Sequence, residues 1–301
     1  MRDHLAQTLE KIVRQDKSVY FLTADLGFNA LENLQKTMGD RFINAGVTEQ
    51  SMVTMAAGMA FSGAKPWVYS IAPFITLKTV EQIRNDVVHA NLPVKLIGMG
   101  GGYGYGYHGT THHVLEDLAV LLPMQPMKIY VPAFVEDVVW QVKKMHQDKN
   151  PAYLRLAKVP PQTATKPGGY GQVRQSSKGG QVTIITLGTM VHNAWQALKK
   201  LKRIDIMDLW VISELPCQMP KNLLESVKKT GKLIIVEEHV QNGGLAQHLA
   251  PQLLQAKIKL NNFIHLCAQG YPSGLVGSQE FYWQESDIDP NGIFKAIKKV
   301  L

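Results

Sequence analysis

Short apolar runs alternate along this chain with stretches of helical periodicity. In the first half, residues 19–25, 94–100 and 127–133 are apolar and nearly continuous. Residues 182–188, 204–209, 232–238 and 263–268 repeat that pattern in the second half. Runs of this length without strict alternation suit parallel strands covered on both faces. Helical spacing fills the gaps. Residues 76–90 put Leu77, Val80, Ile83 and Val87 on one stripe, and residues 135–145 and 191–201 behave similarly. Residues 41–47 read as a short strand ending in a turn. Residues 48–60 read as a helix whose Ala56, Ala57, Gly58 and Ala60 permit close packing. Strand and helix in alternation predict an α/β chain with two mainly parallel sheets, each flanked by helices.

Periodicity lapses once. Pro160-Pro161, Pro167-Gly168-Gly169 and Ser176-Ser177-Lys178-Gly179-Gly180 form a stretch rich in turn residues. The expected division is a first domain over residues 1–165, a linker over 166–180 and a second domain over 181–301. No internal repeat is visible.

Hydrophobic content of 45% and charged content of 19% are those of a globular protein. The net charge of +8 raises nucleic acid as a partner. The basic pairs argue against it. Lys199-Lys200, Lys228-Lys229 and Lys298-Lys299 fall near expected helix ends, where cations complement the macrodipole. A surface drawing an acidic partner or an anionic substrate is the other reading. No apolar run reaches membrane-span length, and residues 1–17 lack a signal-peptide core. Cys217 and Cys267 are far apart, without zinc or redox spacing. A cytoplasmic protein without membrane or nucleic-acid contacts is expected.

Candidate chemistry gathers in two places. Glu49, in Gly46-Val47-Thr48-Glu49-Gln50, falls in the first turn of the expected helix. There it either complements the helix dipole or stands at the mouth of the sheet, where α/β folds bind ligands. In the second case it shares a proton with a heterocyclic nitrogen, and partial burial raises its pKa. The second place is Gly100 to Gly109. Gly104, Gly106 and Gly109 satisfy a dinucleotide-binding spacing, but the next strand ends in Val131-Pro132-Ala133, with no acid for a ribose. The glycines read instead as a loop whose backbone approaches something closely, and the interleaved tyrosines as packing or a substrate wall. His108, His112 and Glu116 would share a face of a continuous helix and suit a metal. Gly109 interrupts that helix. Thr110 or Thr111 then caps a helix running to residue 122, which leaves His108 in the loop, and no metal ligands are assigned.

With these residues in place, the chain resembles the transketolase family in its C-terminal half, and the likeness runs over nearly all of it. It is carried by Ala24-Asp25-Leu26-Gly27, by residues 41–50, by Glu81-Gln82-Ile83-Arg84-Asn85-Asp86, and by Thr111-His112-His113 with Glu116-Asp117. Val236-Glu237-Glu238-His239 and Gly243-Gly244-Leu245 carry it in the second half. The best likeness is to split transketolases, whose diphosphate-binding domain is a separate subunit. A Gly-Asp-Gly loop followed by a metal-binding Asn, the mark of that domain, is absent from these residues. The resemblance implies thiamine diphosphate, with Mg2+ (or Ca2+) held mainly by the partner subunit in an α2β2 heterotetramer. The reaction it implies moves a two-carbon ketol unit from a ketose sugar to an aldehyde.

Roles follow by the same resemblance. Glu49 would bond the aminopyrimidine ring, Phe74 would stack on it, and Leu77, Asp25 and Leu26 would line the cofactor. His112 would face the donor's hydroxyls. Three positions depart from the family. His108 stands where an Asp usually reads a donor hydroxyl. Lys158 replaces a phosphate-binding Arg, and Asn29 replaces a Ser that contacts phosphate. Arg2 matches a further phosphate-binding Arg. The departures imply an unusual or modified sugar. Two other readings remain open: the beta subunit of a 2-oxoacid dehydrogenase's decarboxylating component, and a non-catalytic regulatory paralogue.

Overall fold

The computed structural model describes residues 1–27, 30–157, 163–203 and 206–301. Asn29 and Lys158 therefore lie outside the described residues. The chain runs α1 (Arg2–Gln15), β1 (Val19–Thr23), α2 (Glu32–Met38), β2 (Phe42–Asn44), α3 (Glu49–Phe61), β3 (Lys65–Ile71), α4 (Ala72–Ile75), α5 (Val80–Gln82), β4 (Lys95–Met99), α6 (Asp117–Leu121), β5 (Lys128–Tyr130), α7 (Val135–Gln147) and β6 (Ala152–Leu156). It continues β7 (Val173–Ser177), β8 (Val182–Leu187), α8 (Met190–Leu201), β9 (Met207–Ile212), β10 (Glu214–Leu215), α9 (Lys221–Thr230), β11 (Lys232–Val236), α10 (Leu245–Gln255), β12 (Asn262–Leu266), α11 (Gln279–Glu285) and α12 (Pro290–Val300).

The strands form two sheets, in the orders β10-β5-β6-β4-β3-β1-β2 and β12-β11-β8-β9-β7. Every pairing is parallel except the two edges, β10 on β5 and β7 on β9. The α/β architecture with mainly parallel sheets is as expected. Inner strands are sealed on both faces: Leu96 and Ile97 of β4, and Ile184 and Ile185 of β8, are fully buried. Residues 173–177, within the linker-like stretch, form β7. Arg174 there makes a paired hydrogen bond to Asp137 in the first turn of α7, at 2.8 and 2.6 Å. Residues 214–215 follow β9 directly, yet they pair with Tyr130 and Ile129 of the first sheet. Among the described residues, no helix is long and apolar enough to cross a membrane.

Two expected helices are not continuous. Residues 76–90 break into a tight turn at Leu77–Thr79, one turn of α5, and a wide π-helical stretch at Ile83–Val88. The Thr76 and Thr79 hydroxyls donate back to the carbonyls of Ala72 (2.6 Å) and Ile75 (2.7 Å), competing with the helical ladder. Ile83 and Val87 reach the core, while Leu77 and Val80 are half-buried. The expected helix over residues 110–122 is confined to α6. Before it lie two tight turns, Gly106–His108 and Thr110–His112, then extended backbone in which Val114 bridges Gly102.

One buried polar cluster joins the halves. Arg155, in β6, donates from Nε to Asp117 Oδ2 at 2.7 Å, and from Nη2 to the carbonyls of Val114 (3.1 Å) and Glu238 (3.0 Å). Tyr153 donates its hydroxyl to the same Asp117 oxygen at 2.9 Å. The Glu238 carboxylate reaches back. Its Oε1 accepts from the Tyr103 backbone N–H (2.9 Å), the Trp283 indole (2.8 Å) and the Gln279 amide (3.0 Å). Gly102 lies against it with φ +67°, and a Cβ there would meet Glu238 Cδ at 2.3 Å. A Cβ on Gly101 would meet Arg155 Cγ at 2.7 Å. The close approach expected of the glycine loop is therefore to these two side chains. Arg155→Ala should lower stability by about 3–5 kcal/mol, because Asp117 is left buried without its counter-charge, with the Tyr153 hydroxyl still bonded to it. Denaturant unfolding checks this, and a loss under about 1 kcal/mol would remove Arg155 from its joining role.

Candidate functional site

The C-terminal ends of β1, β2, β3 and β4 open on one edge of the first sheet. At that edge Asn44 ends β2 and fixes the turn into α3. Its Oδ1 accepts from the N–H groups of Gly46 and Asp25, each at 3.0 Å, and its amide donates to Asp25 Oδ1 at 2.9 Å. Asp25 is exposed and held at φ 54° by this bridge. Glu49 then opens α3 and is only 1% exposed.

Both Glu49 oxygens are occupied. Ser70, near the end of β3, donates to Oε1 at 3.0 Å, and the Lys78 ammonium donates to Oε2 at 2.7 Å. Burial alone would push the carboxyl up, as the sequence suggested. The Lys78 and Ser70 hydrogen bonds outweigh burial, and the carboxyl is held below its ordinary value. The expected upward shift is corrected on this ground.

Phe74, on α4, is half-buried and meets the His112 ring edge-on, with centroids 5.3 Å apart. Lys78 Nζ lies 5.9 Å from the Phe74 ring centre, so one ammonium faces both Glu49 and Phe74. The His108 and His112 rings are 5.5 Å apart, and Tyr105 lies 5.4 Å from the first and 6.0 Å from the second. His112 is half-buried, with the Thr111 hydroxyl 3.0 Å from Nδ1. The exposed His108 has Nδ1 at 2.9 Å from the Tyr105 carbonyl, so Nδ1 carries a proton and donates to it.

His113 turns the other way. Its Nε2 donates to the Gly106 carbonyl at 2.9 Å, and Tyr271 approaches Nδ1 at 3.1 Å. Burial lowers its pKa and favours the neutral ring, in which Nδ1 accepts from the Tyr271 hydroxyl.

Arg2 and Leu26 line a cavity of about 500 Å³ with Tyr69, Met99 and Tyr105. Asp25 and Leu26 border a smaller hollow of about 130 Å³ against Phe42 and Asn44. Leu77 is half-buried beside Lys78 on the tight turn after α4. The structure thus links Glu49, Phe74, His112 and His108 through short contacts, and sets Arg2 across a cavity that shares the Tyr105 wall. Asp25 lies apart from that chain of contacts. Among the described residues, no three His, Cys, Asp or Glu side chains form a group able to hold a metal. Sequence reasoning missed Lys78 and Ser70. A lysine four residues beyond Phe74, next to the apolar stripe, was the available signal for the first. For Ser70 there was none.

Comparison with known proteins bears on the family and the fold. Residues 1–160 match the transketolase pyrimidine-binding domain, and residues 171–265 match the transketolase C-terminal domain. A subunit of the apulose-4-phosphate transketolase of Phocaeicola vulgatus is 31% identical over 251 residues, covering 81% of this chain and 80% of that protein. A 6-deoxy-6-sulfo-D-fructose transketolase subunit from a Clostridium species is 26% identical, covering 83% and 79%. A split-gene transketolase, solved as an inactive β4 tetramer, superposes with a TM-score of 0.82 at 25% identity, over 100% of this chain and 97% of that one. The chain belongs to the transketolase family and carries its pyrimidine-binding and C-terminal domains.

Proposed function

We propose that this chain is one subunit of a split transketolase that moves a two-carbon ketol unit from a ketose, unusual or modified, to an aldehyde. The observation that carries the reading is Glu49, buried at the start of α3 and linked through Lys78 and Phe74 to His112. The relatives support it by name, since two of them are subunits of transketolases named for uncommon sugars. The donor set suits thiamine diphosphate. Glu49 offers a carboxylate to a ring nitrogen and Phe74 an aromatic face, with Leu77, Leu26 and Asp25 around them. When bound, the cofactor supplies the carbanion chemistry of ketol transfer. The diphosphate and its Mg2+ (or Ca2+) fall to a separate partner subunit in an α2β2 assembly. Buried free cysteines at 217 and 267 fit a reducing cytoplasm.

This chain's own residues then position and move protons. Glu49 would orient the pyrimidine by sharing a proton with its ring nitrogen, since a carboxylate and an unprotonated ring nitrogen are both acceptors, and must share its oxygen with Lys78 or displace that ammonium. His112 holds or takes a proton at a donor hydroxyl. His108 stands where the family's Asp reads a donor hydroxyl, with its Nδ1 turned to the Tyr105 carbonyl. Arg2, at the cavity mouth, attracts an anionic substituent, and Lys158 and Asn29 take the same role by sequence alone.

Reconstitution tests the reading. Thiamine diphosphate and magnesium, titrated by calorimetry, should bind this chain only together with a diphosphate-binding subunit. In that reconstituted enzyme Glu49→Gln should reduce ketol transfer at least about 100-fold with assembly unchanged, and near-normal turnover would overturn the assignment. Lys78→Met leaves burial unopposed by the ammonium, so the Glu49 pKa rises and the acid limb of kcat/KM moves to higher pH. An unmoved limb would separate Lys78 from Glu49 in the working enzyme. His108→Asp should shift the kcat/KM ratio towards ordinary ketose phosphates by roughly tenfold. An unchanged donor profile would mean that His108 does not read the donor.

A further inference from the structure

Strand β3 serves two sides of the first sheet, because successive side chains of a strand point to opposite faces. Ser70 reaches Glu49 on one face. Tyr69 stands on the other, in the wall of the cavity of about 500 Å³. Its ring packs against Phe21 of β1, with centroids 6.0 Å apart. Tyr105 forms a further part of that wall. The Tyr105 ring lies on Gly100, where φ is +76° and a Cβ would meet Tyr105 Cε2 at 2.2 Å. A side chain at position 100 would therefore displace the ring. Leu26, Ile71 and Met99 give the cavity its apolar surface, and Arg2 is the charged residue among the described residues of the lining.

Each polar side chain of this lining can donate a hydrogen bond. Arg2 carries guanidinium N–H groups and no acceptor. Burial holds the Tyr69 and Tyr105 hydroxyls above their ordinary pKa, so both keep their protons. Arg2 pulls each of them the other way, which sets its guanidinium in the neighbourhood of both hydroxyls. The Tyr69 hydroxyl makes no hydrogen bond among the described residues. Unlike the sealed Trp67 indole two residues earlier, it keeps accessible surface. Tyr105 is half-buried and open to the same cavity. No carboxylate stands in the described lining. The Asp3 carboxylate, 3.9 Å from Arg2 Nε, is exposed and lies outside it.

Three donors in an apolar recess suit a group that only accepts. A neutral sugar end, with a hydroxyl proton to place on each oxygen, finds few acceptors among Leu26, Ile71 and Met99. We propose that Tyr69 and Tyr105 determine specificity for the ketol-transfer substrate: with Arg2, their hydroxyls hold a tetrahedral oxyanion, a phosphate ester or a sulfonate, at the end of the substrate away from the reacting carbons. The planar fork of Arg2 takes two oxygens, and the phenols donate to the third. Tyr105 also touches the His108 and His112 rings, at 5.4 and 6.0 Å between centroids, so the oxyanion recess adjoins the histidines proposed to face the donor. The identity of the substrate as a ketol donor or acceptor rests on the proposed function; anion binding by the recess does not.

The test joins turnover to direct binding. In the reconstituted enzyme the acceptors are three-carbon hydroxyaldehydes ending in a hydroxyl, a phosphate ester or a sulfonate. Tyr69→Phe and Tyr105→Phe keep the rings and remove the hydroxyls. Each should cut the kcat/KM advantage of the anionic ends over the hydroxyl end at least about fivefold, chiefly through KM. The end with the larger advantage in the unaltered enzyme, phosphate or sulfonate, is the one served. Propyl phosphate and 1-propanesulfonate, titrated into the intact chain and followed by ligand-observed NMR, should bind saturably at about millimolar levels or below, where 1-propanol does not. Both variants should weaken that binding. If they do so while the reconstituted complex transfers no ketol unit, the recess stands and the proposed reaction falls. Ketol transfer with an anionic advantage that neither variant moves, or no saturable anion binding to chain or complex, overturns the recess and leaves the reaction standing. Butyrate binding as tightly as propyl phosphate also overturns it, since a flat carboxylate leaves the phenols without a third oxygen.

Discussion

The Arg155–Asp117 ion pair, with Glu238 beside it, is the constraint on which the rest of the molecule depends. A guanidinium is tolerated at the centre of a parallel sheet only if its donors are satisfied. Arg155 meets that demand with one carboxylate and two carbonyls drawn from both halves of the chain. Its partners fix Val114 and the start of α6. Glu238 fixes the backbone at Tyr103. The loop between these points carries Tyr105, His108 and His112. Their positions are therefore inherited from a buried cluster outside the proposed site, consistent with preorganisation by rigid supports.

Glu49 shows how a local argument can be overturned by one neighbour. A carboxyl sealed inside a protein tends toward neutrality. Here an ammonium from the turn after α4 and a hydroxyl from β3 reverse that tendency. The turn exists because Thr76 and Thr79 spend their hydroxyls on the preceding carbonyls, which keeps residues 76–90 from winding as one helix. Backbone irregularity and carboxyl ionisation are thus parts of one arrangement, and π-helical turns of this kind are frequent near functional sites.

Much of this was legible in the sequence, and the failures have physical causes. Strands β1, β4, β5, β8, β11 and β12 are apolar runs that read directly. β6 did not, because Arg155 interrupts its apolar run, and the pairing that permits its burial comes from 38 residues away. β7 is mostly polar and depends on β9 for its place. The motif residues Glu49, Phe74 and His112 were visible, and the structure brings them together. The helix expected to carry His112 was not found, because the Gly102–Val114 bridge and the buried bonds of His113 hold that segment extended. No local pattern announces a contact made across the loop.

The two-residue strand β10 completes the edge of the first sheet with chain borrowed from beyond β9. The apparent linker around residue 170 is consequently a poor place to cut. A fragment ending there would leave β5 with unpaired backbone donors and acceptors, the kind of open edge through which sheets associate into aggregates. The two domains are matched by separate family models, but a cut at that boundary would remove the strand that covers the edge of β5.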